Sequence, residues 1–306
     1  EWIEQYGSIQ LSAPNSSFES LQKEATSYIY NNISPARLET LLKETKRTAL
    51  TPGTVVYKGS EYGALKNLES DFSGDRRLSR HLDFGECTEE YSRVWADFLK
   101  TGSLPKKDAA SVPEDFQCSQ VFYQTLKESV CKSEKDNWYA HYQLSLMHWY
   151  YGHISRARKE LIISEELQSN PWSCHALGIL NHDDPAAAVN YIKNGLSMRN
   201  FDLTYVKEAF QQFLILNAGQ ELLDAYSELP EEIKLDSRIK YDYMSALAMT
   251  GNYQKGYDIL MADENYILED LRECETSIGT LYRNLYKGVF GTDPDSIPSQ
   301  WDFDAL

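Results

Sequence analysis

Glycine and proline are scarce in this chain. Its 306 residues include only 16 glycines and 10 prolines. An all-β chain needs many turns, and a long disordered linker is rich in both residues, so the scarcity disfavours both alternatives. The length suffices for one large domain or two modest ones, and a core of that size needs no disulfide bonds.

Cysteine is also rare, and its spacing forms no recognisable motif. There are five cysteines, an odd number, at long intervals and without a C-x-x-C. This pattern disfavours a disulfide framework and a cysteine zinc site, so we expect reduced thiols in a cytoplasmic protein. Because the chain begins at Glu1 rather than at methionine, we also expect a fragment or a processed form, with a removed signal segment as an open alternative.

Positive charge is in short supply. Lysine and arginine number 30 against 46 aspartates and glutamates, which gives a net charge of −16. Such a chain repels phosphate backbones and anionic lipids, so neither nucleic acid nor a membrane is an expected partner. No apolar run approaches the ~18 residues of a membrane-spanning helix. No cofactor or metal is expected, because the stretch with Gly59 and Gly63 lacks G-K-[ST] and the histidines form no zinc motif.

The sequence does contain a repeated pair of helices. Trp138 begins an apolar-rich stretch, Gly152 forms a turn, and a second helical stretch follows with Ala157 on one face. From Ala157 to Ala188 is 31 residues, and from Ala188 to Gly256 is 68, twice 34. The positions that share this pattern of small and bulky residues are Ala157, Leu161 and Ser164, then Ala188, Ile192 and Gly195, then Gly219, Leu222 and Tyr226, and finally Gly251, Gly256 and Leu260.

These offsets resemble those of the tetratricopeptide repeat (TPR), in which small residues let paired helices approach closely. We therefore predict an all-α chain with a TPR-like helical repeat superhelix, an α-solenoid, over residues 131–306. A C-terminal capping helix and a tail with Trp301 and Phe303 are expected to close it. Residues 1–130 are predicted to form a helical N-terminal region with a long irregular segment at about residues 51–85.

An aromatic stripe in the first repeat is the leading candidate site. In tetratricopeptide repeats the corresponding positions of the first helix line the concave face. Aromatic side chains with polar edges are favoured in interfaces and would also stack on sugar rings. The alternative is that the stripe packs against the neighbouring helix layer. The loop around Tyr62 is the second candidate, and the stripe itself consists of Tyr139, Tyr142, Leu146, Trp149 and Tyr150.

Catalytic residues are hard to identify from this sequence. His141 and His148 share a helix face without a metal-binding spacing, so structural hydrogen bonding is the favoured interpretation. Paired carboxylates can hydrolyse glycosides. Since the chain has 46 acids, their proximity in sequence carries little information, and structural ion pairs are the favoured interpretation. If the chain contributes to an enzyme, the residues to test are Asp83, Arg272 and Glu273.

Several stretches together resemble the C-terminal region of a bacterial family. They are "EWIEQYG", "YKGSEYGALKNLE", "LDFG" with "GSLP", "DNWYAHYQLSLMHW" with "SNPWSCHALGIL", "SRIKYDYMSALAMTGNY" and "LEDLRECETSIGTLY". Members of that family join a β-rich domain of unknown function to TPR-like repeats and are associated with carbohydrate utilisation. Lys66 stands where the family pattern has an acid, and Cys274 where it has glycine, so no catalytic role is carried over to Lys66.

Two functions follow from these observations. The first is an interaction scaffold, the C-terminal part of a larger carbohydrate-associated bacterial protein. Its concave face would bind a β-rich domain of the same protein, another protein or a glycan. The alternative is the helical half of a glycoside-processing enzyme, which would contribute to a site shared with a missing β-rich domain.

Overall fold

The computed structural model describes residues 61–74, 86–132, 136–263, 266, 268 and 277–302. Every regular element within these ranges is an α-helix, which confirms the all-α prediction for the described part of the chain. Contacts divide the chain into two compact units, Glu1–Glu89 and Glu90–Leu306. The boundary predicted near residue 130 therefore falls inside the second unit.

The first unit contains helix α1, Tyr62–Ser73. The prediction of an irregular segment at residues 51–85 is wrong for these twelve residues. Glu61, in a left-handed conformation, precedes the helix, and its carboxylate accepts hydrogen bonds from Thr88 N, Thr88 Oγ1 and Glu89 N. Gly74 ends the helix with a φ of +75°, a conformation that favours glycine. The rest of the predicted irregular segment lies outside the described residues, as does Asp83.

The second unit begins with two helices and a long connection between them. These are α2, Glu90–Thr101, and α3, Gln120–Ser129. The connection contains Ser103–Cys118, which has no helix or strand and which we call the covering segment. Its first end is fixed to α3 where Ser129 Oγ donates to the carbonyl oxygen of Gly102 at 2.8 Å.

Four helix pairs follow along the chain. The first helices of the pairs begin 33, 32 and 34 residues apart, and the second helices begin 31, 34 and 34 residues apart. The pairs are α4, Trp138–Tyr150, with α5, Ile154–Leu167; α6, Pro171–Leu180, with α7, Pro185–Arg199; α8, Leu203–Ile215, with α9, Gly219–Ser227; and α11, Ser237–Met249, with α12, Tyr253–Ala262. The short helix α10, Glu231–Lys234, precedes α11, and α13, Ile278–Phe290, comes last.

The first helix of every pair starts at the same kind of residue. An asparagine or aspartate precedes it, and the side-chain oxygen of that residue accepts a hydrogen bond from the backbone at the start of the helix. This satisfies an N–H group that has no partner within the helix. The four residues are Asn137, Asn170, Asp202 and Asp236.

Small residues sit where the helices approach most closely. A Cβ added to Gly256 would lie 2.6 Å from Leu285 of α13 and 3.5 Å from Leu247 of α11. A Cβ at Gly195 would lie 3.1 Å from Cys174 of α6 and would collide with the hydroxyl of Tyr205 of α8. A second helix therefore packs both against its own partner and against the next first helix, in the way that the spacing of small residues predicts.

Most helix contacts in this unit join near neighbours along the chain. Each of the first helices α4, α6, α8 and α11 contacts the second helix of its own pair, and α6, α8 and α11 also contact the second helix before them. At the C-terminal end, α13 contacts α11 and α12. Trp301 is buried, and its indole nitrogen donates to the Tyr266 carbonyl oxygen, so the predicted docking of this tryptophan is confirmed. Phe303 lies outside the described residues.

Candidate functional site

A groove opens between the helices α8, α11 and α13 in the C-terminal part of the second unit. Its volume is about 820 Å³, within the range of protein ligand sites. Helices α8, α11 and α13 supply almost all of its walls, and α12 supplies one residue. The groove is lined by Gln211, Leu214, Ile215, Arg238, Tyr241, Ser245, Ala248, Met249, Tyr253, Thr280, Leu281, Asn284, Lys287 and Gly288.

The groove uses a fixed set of positions on α11. Counted from Asp236, which precedes the helix, these are the second, fifth, ninth, twelfth and thirteenth residues, which share one helical face. The predicted aromatic stripe occupies the same five positions counted from Asn137. The two matched sets are Arg238, Tyr241, Ser245, Ala248 and Met249 on α11, and Tyr139, Tyr142, Leu146, Trp149 and Tyr150 on α4.

On α4 two of these positions, Tyr139 and Tyr150, contact the covering segment. Tyr139 is fully buried, and its hydroxyl donates to Glu114 Oε2 at 2.5 Å. Burial raises the pKa of this phenol, and the neighbouring Glu114 carboxylate raises that pKa further. The prediction that Tyr139 contacts a ligand is therefore corrected: its ring and hydroxyl are used inside the protein.

The covering segment is held chiefly through its backbone carbonyl groups. Trp138 Nε1 donates to the Lys107 oxygen at 2.8 Å, and Trp172 Nε1 donates to the Ala109 oxygen at 3.2 Å. Arg199 Nη1 donates to the Ala110 oxygen at 2.7 Å. Helix side chains thus recognise the main chain of a non-helical segment, which is a mode that is independent of that segment's side chains.

One ion pair closes the covering segment on itself. The ammonium of Lys107 pairs with the carboxylate of Glu114, and both side chains are nearly buried. The same ammonium lies 5.2 Å from the centroid of the Tyr139 ring. Gln143, also buried, donates to the Glu114 carbonyl oxygen at 2.6 Å. This cluster fixes the segment to α4.

The remaining predicted contact residues have different surroundings. Tyr142 and Trp149 are half-buried and pack against the apolar cluster of α5 and α6. Burial raises the pKa of Tyr142 to about 12. Tyr150 is exposed, but its ring centroid lies 5.9 Å from that of Phe116 in the covering segment. Tyr62 is exposed on α1 in the first unit and is not part of the groove lining.

Arg238 lines the groove, and the buried Asp242 lies beside it without lining the groove. Arg238 is 5% exposed, and its Nε lies 3.2 Å from Asp242 Oδ1. That separation is within ion-pair range, yet neither oxygen of Asp242 accepts a hydrogen bond and Arg238 Nη1 has no partner. Burial raises the pKa of Asp242 to about 7, against the opposing effect of the guanidinium. Unpaired buried polar atoms of this kind are rare in protein interiors.

The charge of the groove differs from that of the chain as a whole. Two of its fourteen lining residues, Arg238 and Lys287, are cationic and none is acidic. The full sequence carries a net charge of −16. Sequence reasoning missed this groove although a signal for it exists. Counting positions from the helix-start residue Asp236, as from Asn137, selects Arg238 and Tyr241.

The described histidine candidate His141 takes part in hydrogen bonds within the fold. His141 bonds to Glu160 through Nδ1 at 2.6 Å and to Asp136 through Nε2 at 2.7 Å, which confirms the predicted structural role. Burial lowers the pKa of His141, but the two carboxylates outweigh it and the net shift is upward. Arg272 and Glu273 lie outside the described residues. Within the described ranges no three His, Cys, Asp or Glu side chains are placed to hold a metal ion.

Comparison with known proteins gives no relative of this chain. No family model matches the sequence, and no curated protein or solved structure matches it. Among the described helices, none combines the length and the apolar character that crossing a bilayer requires.

Proposed function

We propose that the second unit is a TPR-like interaction scaffold that binds a non-helical peptide segment of a partner protein in the groove between α8, α11 and α13. Helix pairs that begin 31 to 34 residues apart and contact mainly their neighbours support the TPR-like interpretation. In such an array the first helices line the concave face, and the first helices α8 and α11 supply eight of the fourteen residues that line the groove.

The observation that carries this proposal is the covering segment. On α4 and α6, residues at the second position of this face already hold a non-helical stretch of this chain: Tyr139 donates to Glu114, and Trp172 donates to the Ala109 carbonyl oxygen. The α11 positions equivalent to the α4 stripe form the open groove. A face that binds irregular main chain in one part of the array is suited to bind it in another.

The groove has the mixed lining that peptide recognition requires. Ile215 and Met249 are large apolar residues that are 53% and 45% exposed, so burying them would favour binding. Asn284 and Thr280 supply side chains able to bond to a peptide backbone. Concave sites with an apolar surface and a few polar groups are the usual form of a binding pocket.

The composition of the groove does not favour glycoside hydrolysis. That reaction uses a pair of carboxylates in most families, and no carboxylate is among the groove's lining residues. Asp83 and Glu273, the acids named for the enzyme alternative, lie outside the described residues. The β-rich partner domain and the carbohydrate association implied by the sequence resemblance stay predictions.

A display library of 12-residue peptides, selected on the immobilised chain, tests the proposal. Selected peptides are synthesised with a fluorophore, and their affinity is measured by anisotropy. The variant that carries Ile215→Asp and Met249→Asp should bind at least about tenfold more weakly, because it places two charges on the apolar rim. Both residues are well exposed, so the folded state should tolerate the changes.

The matched control carries Ile162→Asp and Leu167→Asp on α5. These residues are 43% and 46% exposed and do not line the groove, so binding should change less than about twofold. Failure to enrich any peptide would overturn the proposal, as would equal weakening by the two double variants. Enrichment of oligosaccharides on a glycan array, lost in the groove variant, would replace the peptide with a glycan.

A further inference from the structure

We infer that the groove recognises a carboxylate group on the bound peptide and that Arg238 is the residue that receives it. The inference rests on the proposed function, since it names the chemistry of the peptide that the groove would select. It stands on the geometry at the base of the groove and on the charge of the groove lining.

Arg238 has hydrogen-bonding capacity that the protein does not use. It is the second residue of α11 and lines the groove, yet it is 5% exposed and its Nη1 bonds to no protein atom. A buried guanidinium nitrogen without an acceptor is costly, because its donors have been removed from water. A ligand oxygen at this position would supply the missing acceptor.

Asp242 does not fully meet this demand. Its carboxylate lies beside Arg238 Nε, but neither of its oxygens takes part in a hydrogen bond. Burial also raises the pKa of Asp242, which favours the neutral form of this carboxyl and weakens its pairing with Arg238.

The opposite wall of the groove adds a second positive charge. Lys287 of α13 lines the groove, and its partner Asp293 lies 3.1 Å away with both side chains largely exposed. Exposed pairs of this kind contribute little to stability, so Lys287 can exchange its partner for a ligand group. With no carboxylate in the lining, the groove complements an acidic segment and not a basic one.

Arginine is suited to this role because its planar guanidinium binds a carboxylate through charge-assisted hydrogen bonds. A carboxylate on a peptide has two sources, an internal Glu or Asp side chain and a free C-terminus. Both present the same two oxygens to Arg238. The experiment separates them.

Three matched peptide arrays provide the test, all of 12-residue peptides whose other positions are uncharged. The first set has a central Glu and a blocked C-terminus, the second has a central Gln and a blocked C-terminus, and the third has a central Gln and a free C-terminus. Binders are remeasured in solution by fluorescence anisotropy. We expect the first or third set to bind about tenfold more tightly than the second, as a charge-assisted hydrogen bond requires.

Protein variants place the effect at the groove. Changing Arg238→Gln together with Asp242→Asn removes the buried pair without leaving one charge alone. In this variant the ratio of affinities for the carboxylate-bearing and the control peptides should fall to about one. Lys287→Gln should reduce it about two- to threefold, whereas Lys193→Gln, an exposed lysine on α7 that does not line the groove, should not. Helical circular dichroism of each variant checks its folding.

The comparison between the arrays needs no variant and stays decisive if the double variant fails to fold. If all three peptide sets bind equally tightly and the Ile215→Asp and Met249→Asp variant weakens their binding, the carboxylate inference is wrong. The proposed peptide-binding function would still stand. Binding of none of the sets would overturn both. If the folded Arg238→Gln and Asp242→Asn variant still prefers the carboxylate-bearing peptides, Arg238 is not the residue that binds the carboxylate.

Discussion

Two helices in this unit present the same five positions to their surroundings and use them differently. On α4 the positions hold mainly large aromatic residues, and the covering segment contacts two of them, with Tyr139 bonded to Glu114 and Tyr150 beside Phe116. On α11 the ninth and twelfth positions are Ser245 and Ala248, where α4 has Leu146 and Trp149. The smaller side chains leave the volume that forms the groove.

This difference teaches how one repeated surface can serve two purposes. Bulky residues with polar edges, such as Trp138 and Trp172, fill space and donate to a segment of the same chain. Short residues at the equivalent positions of α11 leave an open groove, which under the proposed function takes a segment of a partner protein. The two helices place these positions in the same way, and the volume of the side chains decides whether the surface is filled or forms an open groove.

The largest expected effect comes from breaking the ion pair that holds the covering segment. Changing Glu114→Ala leaves Lys107 nearly buried without its partner and removes the acceptor of the Tyr139 hydroxyl. We expect a loss of about 3 to 5 kcal/mol in the free energy of unfolding, measured by urea denaturation. The control Glu231→Ala removes a carboxylate that is 85% exposed and paired with Lys234, and it should cost less than about 1 kcal/mol. If both variants lose the same free energy of unfolding, the Lys107–Glu114 ion pair does not hold the covering segment in place.

A smaller effect should follow when hydrogen bonds to the covering segment are removed. We call α4 to α7 with this segment the covered half, and α8 to α13 with the groove the open half. The double variant Trp138→Phe and Trp172→Phe removes two indole donors to the covering segment and keeps most of the ring volume. Each lost hydrogen bond should cost about 0.5 to 1.5 kcal/mol, and limited proteolysis should cleave the segment faster.

The matched control for this pair is Trp301→Phe, which removes the indole donor to the Tyr266 oxygen at the other end of the unit. It should lower stability without exposing the covering segment to the protease. If proteolysis within Ser103–Cys118 were unchanged in the double variant, the indoles would not be what fixes that segment.

The most subtle difference between the halves lies in their response to pH. Asp242 has a folded-state pKa of about 7, above its unfolded value near 3.8, so its contribution to stability is lost as pH rises through 7. His141 also has a raised pKa, so its contribution is present below about 6.5 and is lost as pH rises through the higher folded-state value. The covered half should therefore respond above pH 6.5, and the open half mainly between about pH 4 and 7.

Unfolding of two variants across this range separates the contributions. Asp242→Asn should flatten the pH dependence of stability, relative to the parent chain, between about pH 4 and 7. His141→Gln should flatten it above about pH 6.5. Stability differences that stay constant with pH in both variants would show that neither group titrates as the structure implies.

Much of the helical architecture could be predicted from the sequence, because it depends on residues close together in the chain. The small residues Ala157 and Gly256 are spaced by the length of whole helix pairs, and they occupy the close contacts that such spacing predicts. Helix α1 lies within the segment predicted to be irregular, and Gly63 stands in its first turn.

The covering segment could not be predicted in this way. Its bonds join positions far apart in sequence, such as Ala109 with Trp172, 63 residues apart. No periodic pattern records such a contact. The prediction that the aromatic residues of α4 share one face is correct. The prediction that Tyr139 contacts a ligand is wrong for the same reason, because a segment that lies earlier in the chain covers this residue.

The hydrogen bond between Arg199 and Ala110 spans 89 positions, in a unit whose other helix contacts are mostly with near neighbours. An array with neighbour contacts alone can lose its structure one pair at a time from either end. This bond and the bonds of Trp138 and Trp172 tie α4, α6 and α7 to one loop, so we expect those helices to unfold together and not one pair at a time.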